Sequence, residues 1–79
     1  MGAGGAGLNR AFGRVLRALR ERAGLSQEAL AARSGLHRTY ISILERGKRS
    51  PTLDTIAVLA RALGSAPHRL VRRAEQLAG

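Results

Sequence analysis

The sequence predicts an all-α domain of five short helices. Three observations carry this. Apolar residues recur at helical spacing along the chain, and no stretch alternates in the manner of a strand. Glycines at 24, 35, 47 and 64 fall where each periodic run ends, as helix stops do. The chain has only 79 residues, which is one domain's worth. Residues 1–7, rich in glycine and alanine, read as a flexible arm, and 8–79 as a single domain.

The first helix runs from Leu8 to about Ala23, with Phe12, Val15, Leu16, Leu19 and Ala23 on its apolar stripe and Gly24 as its stop. Ser26 is a good N-cap for the second helix, because its hydroxyl can accept a first-turn N–H. Gln27 and Glu28 follow in the first turn, Ala29, Leu30, Ala31 and Ala32 supply an apolar strip, and Gly35 ends it. Leu36 is placed to plug the core before a third helix at about 38–46. There Ile41 and Leu44, three apart, share one face. Gly47 stops it, and Lys48-Arg49-Ser50-Pro51 forms a basic turn. Thr52 caps a fourth helix with Leu53, Ile56, Leu59, Ala60 and Leu63 as its stripe and Gly64 as its stop. Ser65-Ala66-Pro67 opens a fifth at about 66–77, since proline is tolerated in a first helical turn. Leu70, Val71, Ala74 and Leu77 form its apolar face.

Composition narrows the function. The chain carries 14 Lys plus Arg against 5 Asp plus Glu, a net charge of +9. All the basic residues except Lys48 are arginine, whose planar fork donates two hydrogen bonds at once to phosphate or a base edge. Such a charge favours polyanions. There is no cysteine, so no disulfide or thiolate metal site is available. His37 and His68 stand far apart without ligand spacing, and no metal or cofactor is expected. No apolar run is long enough for a membrane helix, and residues 1–7 lack the regions of a signal peptide. The expected place is the cytoplasm, on or near the nucleoid. Phe12 and Tyr40 are too few aromatics for a single-strand stacking platform. Nucleophile constellations and phosphate loops of the GxxxxGK type are missing, which argues against an enzyme.

The second and third helices, joined through Gly35, form a helix-turn-helix pattern. In that motif the second helix of the pair enters the major groove, with its N-terminal residues against base edges. Double-stranded DNA is therefore the expected partner. No small-molecule ligand or membrane is expected.

Longer strings sharpen this. Leu25-Ser26-Gln27-Glu28-Ala29-Leu30-Ala31, Gly35, Tyr40-Ile41-Ser42, Leu44-Glu45-Arg46-Gly47-Lys48-Arg49, Pro51-Thr52-Leu53 and Leu59-Ala60-Arg61-Ala62-Leu63-Gly64 resemble the Cro/repressor-type helix-turn-helix family, also called XRE. The resemblance covers about Phe12 to Leu70 and implies a five-helix lambda-repressor-like DNA-binding fold. Gly35 to Ser42 is similar to controller proteins of restriction–modification systems, and also to prophage and other small regulators.

The resemblance implies roles for particular residues. Gln27 would hydrogen-bond a backbone phosphate and brace the recognition helix, helped by amides at the same helix N-terminus. Arg38 and Thr39 stand where the family reads bases, and Arg can grip the O6 and N7 of guanine. Ser42, four residues on from Arg38, shares that face and would touch a base edge or a phosphate. Ile43 would meet a thymine methyl or pack at the core edge. His37 takes the N-cap, where many members carry better-capping Ser, Thr or Asp, and would reach a phosphate. Tyr40 would either pack or offer its hydroxyl to a phosphate. Arg46, Lys48 and Arg49 form the turn that the family sets on the DNA backbone. Arg20 and Glu45 would make a structural ion pair tying the first helix to the third.

Leu70, Val71, Ala74 and Leu77 are expected at a homodimer interface, since a two-fold dimer reads half-sites about one DNA turn apart. The expected function is a sequence-specific transcriptional regulator, a repressor or autoregulator on a palindromic operator. The alternative is an antitoxin-type interaction module of the same fold.

Overall fold

In the computed structural model the described residues are 4–79, and they form five α-helices: α1 (Gly4–Arg22), α2 (Gln27–Ser34), α3 (Arg38–Glu45), α4 (Leu53–Ala62) and α5 (Pro67–Ala78). Residues 1–3 of the expected arm lie outside the described residues. Residues 4–7, read as arm, belong to α1. Once a helix is nucleated, each added residue contributes one hydrogen bond at little cost, so α1 continues back past Leu8.

Local chemistry sets the boundaries. Ser26 accepts the amide of Ala29 at 3.0 Å, and Thr52 accepts that of Thr55 at 3.0 Å. His37, at the N-cap of α3, makes no side-chain capping bond. The third helix therefore starts without the first-turn partner that α2 and α4 have.

Every helix sends at least one fully buried side chain inward: Leu16, Leu30, Ile41, Leu44, Leu59 and Leu70. Burying each contributes ~1.5–3 kcal/mol. α1 packs on α5 and α3, α2 on α3 and α4, and α4 on α5. Four residues of the expected apolar stripes, Ala23, Ala32, Leu53 and Leu77, are exposed. Ala23 lies beyond the last turn of α1. Leu53, the first residue of α4, is 84% exposed, because the inward face of α4 is set by Ile56, Leu59 and Ala60.

Two glycines let the backbones meet. A Cβ on Gly13, inside α1, would lie 2.6 Å from the Glu45 carbonyl oxygen and against that of Leu44. Here α1 crosses the C-terminal end of α3 with no room for a side chain. Gly47 has φ +69°, and a Cβ there would stand 2.7 Å from the Arg10 Cα. Only glycine meets both demands. Nearby, Ser50 Oγ donates to Asn9 Oδ1 at 2.9 Å, so the basic turn is pinned to α1 at two points.

Candidate nucleic-acid interface

The geometry of α3 divides its residues. Ile41 and Leu44 are buried at 0% and 1% exposure. Arg38 and Thr39 are exposed, while Ser42 and Ile43 are half-buried. At ~100° of rotation per residue, Arg38, Thr39, Ser42 and Arg46 fall within about a quarter to a third of the helix circumference. Three of the residues expected to read bases, Arg38, Thr39 and Ser42, thus share one outward side, and the half-buried Ile43, ~140° round from Arg38, lies at its margin.

That side is held from behind by a hydrogen-bonded cluster. Arg20, only 8% exposed, donates from Nε to Glu45 Oε2 at 2.6 Å and from Nη2 to Glu45 Oε1 at 3.0 Å. Its Nη1 donates to the Leu25 carbonyl at 2.8 Å. One guanidinium thus joins α1, the start of the α2 approach and the end of α3. The hydrogen bonding that Arg20 donates to the Glu45 carboxylate raises the Arg20 pKa above its ordinary value, outweighing burial, which pulls the other way. Gln27 Nε2 donates to Glu45 Oε1 at 3.0 Å, so it too braces α3. An amide nitrogen has two N–H donors, which leaves Gln27 a second one.

Gln27 and Arg38 line one open cleft together with Arg20, Ser26 and Glu28, between the N-termini of α2 and α3. His37 is exposed beside it. Tyr40 is half-buried; its hydroxyl lies 3.5 Å from the Thr55 hydroxyl, and its ring packs against the core. Arg46, Lys48 and Arg49 are exposed on the turn after α3. Arg46 Nε donates back to the Ser42 carbonyl at 3.3 Å, helping to close a helix end whose carbonyls need partners.

The expected dimer residues separate. Leu70 and Ala74 are buried within the chain, at 0% and 1% exposure. They are core residues packed under α1, not surface residues, because they occupy the stripe of α5 that its neighbours cover. Val71 is half-buried and Leu77 is 47% exposed. Sequence periodicity missed Leu53 as a surface residue and Gly13 as a contact residue. A lone glycine within a helical pattern was the signal available for Gly13.

Among the described residues no group of His, Cys, Asp and Glu is placed to hold a metal. No described helix is long and apolar enough to cross a membrane.

Known proteins share this arrangement. The chain is 53% identical over 49 residues to the control protein C.SmaI of Serratia marcescens, a match covering 62% of this chain and 58% of that relative's length. The structure of the restriction–modification controller protein C.AhdI from Aeromonas hydrophila is similar at a TM-score of 0.77 and 48% identity, over 78% of this chain and 94% of that one. A third neighbour, the controller protein C.Esp1396I, was solved as a tetramer in complex with its natural 35 base-pair operator. It has a TM-score of 0.79 and 28% identity, over 90% of this chain and 93% of that one. The helix-turn-helix family matches residues 16–70, and the chain belongs to it, in its Cro/repressor-like XRE branch.

Proposed function

We propose that this chain is a sequence-specific transcriptional regulator that binds double-stranded DNA as a homodimer on a palindromic operator, in the manner of restriction–modification controller proteins, in the cytoplasm on the nucleoid. The observation that carries this is the outward side of α3. Arg38 and Thr39 are exposed on a helix whose opposite side is buried and whose end is gripped by Arg20 and Gln27. A rigid helix with free polar side chains at its N-terminal end suits insertion into the major groove.

In this reading Arg38 takes guanine O6 and N7, Thr39 and Ser42 reach neighbouring base edges, and Ile43 approaches a thymine methyl. The second N–H of Gln27 meets a backbone phosphate near the amides of the α2 N-terminus. His37, Arg46, Lys48 and Arg49 supply further phosphate contacts. Tyr40 acts mainly by packing, which its closeness to Thr55 supports. C.SmaI, C.AhdI and C.Esp1396I, all control or controller proteins, and the operator complex of the last support the same reading.

The test is selection of bound duplexes from a randomised pool at moderate salt. An enriched palindrome with half-sites about one turn apart is the expected result. Salt-sensitive binding to every sequence, with no enriched motif, would overturn it.

A further inference from the structure

We propose that a hollow between the end of α1 and the start of α5 is a binding site for a small di- or polyphosphate anion, built without the recognition helix. Three arginines line it, Arg22, Arg69 and Arg73, together with Ser65. Leu19 and Leu63, both half-buried, give it an apolar wall. No carboxylate is among its lining residues. Elsewhere on the surface the signs are mixed. The groove beside Leu53 holds both Arg72 and Glu75, and the cleft between α2 and α3 holds Glu28 with Arg20 and Arg38. Here the charge is all positive.

The start of α5 runs against local electrostatics at this place. A helix N-terminus carries partial positive charge and favours acids in its first turn. α5 has no acid there, and its first turn contains Arg69. Arg73, one turn further on, adds like-charge repulsion. Arg22 ends α1, where a cation suits the helix dipole, but the packing of α1 on α5 brings it to the other two. The ion pairs among the described residues are Arg17–Glu21 and Arg20–Glu45, so no carboxylate of this chain relieves the three arginines. A local rule broken without compensation is the mark of a functional site. Sequence periodicity does not reveal it, because Arg22 and Arg69 are far apart in the chain.

Charge and size identify the ligand class. Guanidinium forks match phosphate oxygens two at a time, and three of them call for more negative charge than one carboxylate brings. The hollow of about 280 Å³ has the volume of roughly nine waters, which suits two linked phosphates. Its apolar wall keeps water from one side and so strengthens each charge contact. None of the lining residues belongs to α2 or α3. Occupancy therefore leaves Arg38 and Thr39 free, and the domain can hold this anion and operator DNA together. The anion ties the end of α1, the α4–α5 turn and α5 to one another, and it stabilises the folded chain by binding that state alone.

Thermal melts with inorganic pyrophosphate, at ionic strength held constant with KCl, test this on wild type, Arg22→Gln, Arg69→Gln, Arg73→Gln and, as a control on the basic turn, Arg49→Gln. All four arginines are exposed, so each variant should fold. Wild type and Arg49→Gln should melt several degrees higher at saturating pyrophosphate. Each of the other three should need about tenfold more pyrophosphate for the same rise, since each lacks one charged donor. Without pyrophosphate, Arg69→Gln should melt above wild type, because the first turn of α5 loses a misplaced cation. A wild-type rise no larger than KCl gives overturns the site. So does a rise that Arg69→Gln and Arg73→Gln keep in full, or one that Arg22→Gln keeps while they lose it, since the three then do not converge. Operator binding measured without pyrophosphate separates the remaining source of phosphate. Arg73→Gln should bind DNA more tightly than Arg49→Gln does, and an equal loss would assign these arginines to the DNA backbone and overturn the small-anion site.

Discussion

Arg38 and Gln27 line the same cleft, yet their loss should be felt differently. Arg38 has no hydrogen-bonded partner among the described side chains and stands at the open end of α3. Its replacement by alanine should cost ~1–3 kcal/mol on the selected operator and relax preference at one base pair. Gln27→Ala should weaken binding to all sequences alike, since it removes a phosphate donor and the bond to Glu45. Competition binding on a panel of singly substituted duplexes separates the two, and an equal loss for Arg38→Ala on cognate and scrambled DNA removes its base-reading role. Gly13 makes a sharper residue-scale case. Helix propensity alone says that Gly13→Ala should stabilise α1 by up to ~1 kcal/mol. The 2.6 Å approach to the Glu45 carbonyl says the reverse, because overpacking against backbone costs ~1–3 kcal/mol or more. Backbone cannot swing aside as a side chain can, so destabilisation should win, read as a lower midpoint in thermal unfolding.

At the scale of elements, α3 has only eight residues and no side-chain cap, and so would be marginal alone. Its place is set by Ile41 and Leu44 in the core and by the Arg20–Glu45 pair. That pair is buried, with side-chain exposures of 10% and 4%. Removing one partner leaves an uncompensated charge, at ~3–5 kcal/mol. Arg20→Ala and Glu45→Ala should each cost about that much in chemical denaturation, while Arg20→Met with Glu45→Leu should recover a large part. A double variant as unstable as the sum of the two singles would show that the pair does not act as a unit. The ion pair was legible only through the family strings, since 25 residues separate its members. The caps at Ser26 and Thr52 and the glycine stops, by contrast, were legible from local chemistry, where neighbours in sequence are also neighbours in space.

For the whole molecule, a net charge of +9 on 79 residues sets the character of binding. If Arg46, Lys48 and Arg49 meet phosphates in both copies of a dimer, binding should fall steeply with salt. Six to ten such contacts lose ~10³–10⁵ in affinity between ~50 and ~200 mM salt. A plot of log affinity against log salt checks this, and Lys48→Ala should lower its slope by about one unit per protomer. A chain this small also buries only ~60% of its unfolded surface, so few kilocalories separate the folded from the unfolded state and single core changes should be consequential.

Sequence by itself determined the number, order and polarity of the helices and their stops. These depend on i to i+4 periodicity, capping and turn chemistry, all local. Tertiary structure alone decided which apolar stripes are covered. Leu70 and Ala74 went under α1 while Leu53, on a stripe equally apolar in sequence, was left at 84% exposure. It also decided that Gly13 sits where two backbones cross. Periodicity reports the direction in which a side chain leaves its own helix. What lies in that direction is set by how the other helices pack.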